Sequence, residues 1–258
     1  MSKAEAIAAS GSRYAPVANA SQYDQADGAG VFIGKPCEAY AASQMDDASS
    51  DSGPVRLSFF CAGTPSQLAT EALIRNMGAE PKNIKSLRYR GNGWPGYFTF
   101  EDEFGEVGQV SYDDSWGKHL GRNLQWRCKL CVDGTGEFAD ISVGDYWETD
   151  AKGYPTFSDS EGNSIVIART ARGLRIVQES AAAGVLNLAP AKLDSLMNIQ
   201  PLQRIRRISM AGRLAGRLLA GRRVPRYRGF RLTRLALSSI RLNVRATIGT
   251  FLRTLRGR

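Results

Sequence analysis

The stretch Val55-Arg56-Leu57-Ser58-Phe59-Phe60-Cys61-Ala62-Gly63-Thr64-Pro65-Ser66 decides how this chain folds. Val55 to Phe60 is a short apolar, β-favouring run, and Cys61 sits in the loop that ends it. Thr64 is placed to cap a helix with Pro65 at its first position, and Leu68, Ala72, Leu73 and Met77 supply an apolar face before Gly78 stops it. Strand, ligand-bearing loop and helix in that order is how an open α/β sheet presents a site beyond the carboxyl ends of its strands.

Working outward, Val31-Phe32-Ile33-Gly34 repeats the arrangement and delivers Cys37 to the loop after a strand. Ile84 to Arg90, Tyr97 to Phe100 and Val107 to Tyr112 alternate like half-exposed strands, Ser164 to Ala168 is a further strand, and a helix follows to about Ala183. The expected fold is α/β, a mixed sheet with flanking helices, followed by an arginine-rich helical tail.

The chain has four cysteines, Cys37, Cys61, Cys128 and Cys131. Four thiolates are what one iron-sulfur cluster or one structural zinc consumes, and a close pair with two distant partners suits both. A helix starting beside Cys61 would stabilise a negatively charged cluster by roughly 0.3 to 1 kcal/mol. No secretory signal is evident near Met1, and no run approaches the roughly 18 apolar residues that span a bilayer. A reducing cytoplasm is therefore expected, where metal ligation explains the cysteines better than disulfides do.

The net charge of +9 conceals two opposite regions. Sixteen of the 34 basic residues, all arginine, lie beyond residue 202, and none of the 25 acids does, so residues 1–202 carry a net −7. Domains are accordingly expected at 1–202, the body, and 203–258, a basic tail. In the tail, Leu232, Leu235, Ile240, Val244, Ile248, Phe251 and Leu255 approximate one helical face, an earlier helix spans about Ile205 to Ala220, and Pro225 to Gly229 breaks between them. Such helices fit an anionic membrane surface, an acidic partner, or the negative body itself. Interleaved aromatics are scarce and no nucleic-acid motif is present.

Five blocks, taken together, carry a family resemblance: Gly34-Lys35-Pro36-Cys37; Cys61 to Ser66; Tyr89-Arg90-Gly91-Asn92-Gly93-Trp94; Arg127-Cys128-Lys129-Leu130-Cys131-Val132-Asp133; and Glu137 to Trp147. Their order and spacing over Gly11 to Val185 resemble the beta subunits of coenzyme F(420) hydrogenases and dehydrogenases. The resemblance implies an oxidoreductase subunit with a 4Fe-4S cluster on Cys37, Cys61, Cys128 and Cys131 and with FAD. It would carry electrons between a deazaflavin or ferredoxin-type donor, the flavin and the cluster, working with a redox partner protein. Bacterial relatives include members encoded beside polysaccharide-synthesis enzymes.

Candidate cofactor-binding residues are Thr64, Ser66, Arg90, Gly91, Asn92, Gly93, Asp140, Ser142 and Asp145. The glycine-rich turn after Arg90 reads equally as a structural turn, and Asp140 and Asp145 could orient cysteines or bind a flavin hydroxyl, although loop aspartates more often cap turns. Members usually carry an upstream domain, which is expected to be missing here. Lys35 stands where Thr is usual, Glu38 where Gln is usual, and Ala62 where many relatives have His. The alternative function is a non-catalytic zinc or metal-free module acting through its tail at a membrane surface or a partner. On either reading the protein is expected to be cytoplasmic, or peripheral at the inner membrane surface. His119, the single histidine, reads as a surface or structural residue, and no Ser-His-Asp set supports hydrolysis.

Overall fold

A computed structural model describes residues 14–24, 27–46, 53–91, 96–146, 163–191 and 201–256. In chain order its main elements are β1 (Val31–Gly34), α1 (Pro36–Met45), β2 (Val55–Phe59), α2 (Gln67–Asn76), β3 (Ile84–Arg88), β4 (Tyr97–Asp102), β5 (Val107–Ser111), α3 (Trp126–Lys129), β6 (Ile141–Tyr146), β7 (Asn163–Ala168), α4 (Ala171–Ala182), α5 (Pro201–Ile208), α6 (Met210–Leu219), α7 (Leu232–Ser238) and α8 (Ile240–Leu255). The fold is mixed α/β with a helical C-terminal region. Among the described residues no helix is long and apolar enough to cross a membrane.

The chain forms two compact units. One comprises residues 1–18, 63–129 and 156–163. Its sheet is antiparallel in the order β3-β4-β5. Alternation along β4 turns Phe98 and Phe100 inward, where they meet Leu73 and Ile74 of α2 together with Tyr89 and Leu120. The apolar spacing of the 68–77 segment thus does what an amphipathic helix must do, covering one sheet face. The helix begins later than expected. Gln67 is its first residue and Ser66 its N-cap, because Pro65 forms an antiparallel bridge with Leu124 and the Thr64 N–H is directed at Cys128 Sγ.

The second unit comprises residues 19–62, 130–155 and 164–258, with strand order β1-β2-β6-β7. β1, β2 and β6 are parallel, with Val31 opposite Val55 and Leu57 opposite Ile141. β6 corrects the expectation of a loop over Asp140 to Asp145. Two further corrections concern cysteines and tail. Cys37 is the second residue of α1, not a loop residue, since Pro36 suits a helix's first position. Among the described residues the tail has four helices where two were expected, and the face running from Leu232 to Leu255 is interrupted at Ser239, whose φ of −150° and ψ of 65° leave the helical region.

The tail is part of the second unit's core. Met210 and Phe230 bury against Val132, flanked by Tyr40 and Phe138. Gly212 and Gly216 on α6 face the α8 backbone at Asn243 and Thr247, where any Cβ would collide with a carbonyl oxygen. The break between α5 and α6 is closed by one side chain: the Gly212 N–H donates to Asn243 Oδ1 at 2.9 Å, and Asn243 Nδ2 donates to the Ile208 carbonyl at 3.0 Å.

A candidate thiol centre at the strand ends

Three cysteines, Cys37, Cys61 and Cys131, lie at the strand ends of the second unit. β1 leads through Lys35 into Cys37 at the start of α1, and β2 leads through Phe60 into Cys61. The segment 130–140 then runs back along β2. Its Gly134 carbonyl accepts from the Cys61 N–H at 2.9 Å, while the Asp140 N–H donates to the Arg56 carbonyl at 2.8 Å near the other end of the strand. That path returns Cys131 to the carboxyl ends of β1 and β2, where an open α/β sheet holds its ligands.

The thiols sense each other. Cys37 and Cys131 share a hydrogen bond that raises the Cys37 thiol and lowers Cys131 to about 7, and the charge of Cys61 also raises Cys37. The pair therefore favours the thiol form of Cys37 over that of Cys131. Arg206 further favours the Cys131 thiolate. Soft, close-set thiols of this kind suit iron-sulfur or zinc ligation. Among the described residues no three Cys, His, Asp or Glu side chains already form a closed metal site, so ligation has to draw the sulfurs together.

Two features that sequence reasoning missed organise this centre. Asp133 is buried and accepts from the N–H groups of Thr135, Gly136 and Glu137 at 2.8, 3.0 and 2.7 Å, fixing the loop after Cys131. Asp133-Gly134-Thr135-Gly136 carries the signature of an aspartate-capped turn and could have been read as one. The other feature is α5, whose Gln203 and Arg206 both donate to the Cys61 carbonyl, at 2.9 and 3.2 Å, while Arg206 also reaches the Ala62 carbonyl at 2.9 Å. On the neighbouring side Arg207 pairs with Glu137 at 2.8 Å and donates to the Val132 carbonyl. Tyr227 donates to the Leu130 carbonyl at 2.7 Å. Of the three tail readings, α5 follows the one in which arginines fold back on the body.

Cys128 belongs to the first unit, on α3, where its sulfur accepts from the Thr64 N–H at 3.3 Å. In that unit Ser66 and His119 line one open cleft of about 400 Å³ with Asn123 and Lys129. Arg90 and Gly91 follow β3, and Gly96 at φ 76° packs so closely on the Gly91 backbone that a Cβ would overlap it, which closes the neck of the turn. Asn92 and Gly93 lie outside the described residues.

The other candidates belong to the second unit. Asp140, 1% exposed, sits at the amino ends of β2 and β6, away from the cysteines. It accepts from the Arg56 N–H at 2.9 Å, Thr170 Oγ1 at 2.7 Å and Arg172 Nη2 at 2.8 Å. Burial alone would raise this carboxyl, yet the bonds from Arg172, Arg56 and Thr170 hold it below its ordinary value. Ser142 is buried and accepts from Arg169 Nε at 3.1 Å. Asp145 is half-buried, two residues beyond Val143, at the end of the sheet where β2 delivers Cys61.

Comparison with known proteins gives a consistent result. The family model described as the C terminus of the coenzyme F(420) hydrogenase/dehydrogenase beta subunit matches residues 29–193. Among solved structures, the chain resembles a chain of the F(420)-reducing NiFe hydrogenase complex from Methanosarcina barkeri. The TM-score is 0.53 and the identity 22%, over 81% of this chain and 70% of that one. That likeness shows a shared fold. No curated protein matches.

Proposed function

The chain belongs to the family of coenzyme F(420) hydrogenase/dehydrogenase beta subunits, by the part of it called the C terminus, and from that premise we propose that it is a redox subunit holding a 4Fe-4S cluster on Cys37, Cys61, Cys128 and Cys131. The observation that carries this reading is the convergence of Cys37, Cys61 and Cys131 at the carboxyl ends of two parallel strands. Cys128 follows as the fourth ligand from its place three residues before Cys131 in the chain. A cluster there would take electrons singly, and a bound FAD would exchange them with hydride donors such as a deazaflavin, the current passing on to a partner protein.

The protein's own part is to hold thiolates and compensate their charge. Arg206 brings a fixed positive charge against the Cys61 loop, and Asp133 fixes the turn after Cys131. Flavin contact is assigned to Thr64, Ser66 and the turn at Arg90 and Gly91, with Asp145 near the cysteine end of the sheet. Asp140 and Ser142 are read as residues that hold the sheet, since Arg172, Thr170 and Arg169 already engage them.

Anaerobic purification with iron, sulfide, zinc and flavin assays tests the proposal. About four irons and four sulfides per chain are expected, with a brown absorbance lost in Cys131→Ser and Cys128→Ser. A colourless, zinc-loaded protein would overturn it and favour the non-catalytic module.

A further inference from the structure

We infer that the outward face of α8 is a docking surface for an anionic lipid bilayer. Its inner face is fully accounted for. Asn243 and Thr250 are buried, and α6 sets Gly212 and Gly216 against the α8 backbone, so the two helices are in close register. An adjoining face is apolar and exposed: Ile240, Val244, Ile248, Leu252 and Leu255 are 60, 52, 55, 44 and 62% exposed. The first four recur at four-residue steps and Leu255 falls among them, so all five occupy one arc roughly 120° wide at 100° per residue. Other apolar tail residues, such as Met210 and Phe230, are completely enclosed, so the fold buries what it can and leaves this stripe out.

Charge identifies the occupant. By the same step Arg241 falls within the arc, near its edge, and Arg245 and Arg256 lie just beyond it, all three exposed, and there is no acid anywhere from residue 201 to 258. An aliphatic stripe edged by arginines is what a helix needs to lie in the plane of an interface, its apolar side entering the acyl boundary and its guanidinium groups meeting lipid phosphates. A protein partner is usually gripped by aromatic anchors set in pockets, and this stripe contains none. Nucleic acid would engage the arginines and leave the stripe in water. Leu218 and Leu219 at the end of α6, 62 and 70% exposed, enlarge the apolar area of the same helix pair.

The inference is independent of the cofactor and is tested on the full chain by vesicle sedimentation. Binding to phosphatidylcholine vesicles containing about 30% phosphatidylglycerol should exceed binding to pure phosphatidylcholine roughly tenfold, and should weaken in high salt. The double substitution Val244→Asp with Ile248→Asp should abolish binding while leaving the thermal midpoint unchanged, because both side chains are exposed. Arg241→Gln with Arg245→Gln, which keeps the stripe, should weaken binding roughly thirtyfold, at about 1 kcal/mol per arginine. Equal binding to neutral and anionic vesicles, or binding indifferent to Val244 and Ile248, overturns the inference. So does a dimer in sedimentation velocity that dissolves on the Val244 and Ile248 substitutions, which would assign the face to a second copy of the chain.

Discussion

Lys35 Nζ lies 2.5 Å from Glu38 Oε1, so the two residues ion-pair with each other across the turn that carries Cys37. The same Glu38 carboxylate accepts from the Lys35 backbone N–H at 2.8 Å and from Asn19 Nδ2 at 3.3 Å. The helix start beneath the cysteine is therefore pinned by a charged cap.

Glu38→Ala is expected to cost about 1–2 kcal/mol in urea denaturation, because it removes the partner of an orphan N–H at the start of α1. Glu38→Gln keeps an acceptor and should cost only about 0.5 kcal/mol. Equal losses in the two variants would mean that the cap contributes nothing.

Asp140→Asn leaves Arg172, whose side chain is 14% exposed, without its counter-charge, and should destabilise the protein by about 3–5 kcal/mol. The folded Asp140 carboxyl is depressed, so its contribution is fully present above the unfolded value near 3.9 and is lost as pH falls through the lower folded value. Urea midpoints of wild type and variant should accordingly converge below about pH 4. A gap that stays constant with pH would show that the loss is one of packing.

Arg206→Gln should lower cluster affinity roughly tenfold or more, as losses of groups behind metal ligands commonly do, and move the reduction potential to more negative values. Arg206→Lys, which retains charge but not the forked contact with two carbonyls, should fall between. Iron content and a redox titration of the purified chain read both effects. A variant with wild-type iron and potential would reduce Arg206 to a surface contact.

Asn243→Ala strips partners from the Gly212 N–H and the Ile208 carbonyl and is expected to cost about 2–4 kcal/mol. Thermal unfolding measures it. A loss under about half a kcal/mol, the ordinary surface value, would mean that water replaces the amide.

Sequence reading recovered the strands that are locally apolar. Val31 to Gly34, Val55 to Phe59 and the β3, β4 and β5 runs each announce themselves by β-favouring side chains. β6 does not, because Asp140 before it and Ser142, Gly144 and Asp145 within it are polar or small. Their acceptability in a parallel sheet rests on Arg172, Thr170 and Arg169, residues some 27 to 32 positions away. The breaks at Ser209 and Ser239 were equally invisible, since serine is no helix breaker and Asn243 makes the first tolerable from another helix. At the candidate site the cysteines could be picked out by number and spacing. The docking of α5 could not, because Gln203 and Arg206 bind backbone carbonyls, and a carbonyl leaves no trace in a sequence.

The carbonyl of Cys61 acquires its side-chain donors from Gln203 and Arg206, 142 and 145 residues further along the chain. On a ribosome, then, Cys61 emerges long before the helix that braces its carbonyl, and a nascent chain displays that loop without its outer support. Cofactor loading is most secure after synthesis has passed residue 206, so the order of translation itself delays closure of the centre until the tail has been made.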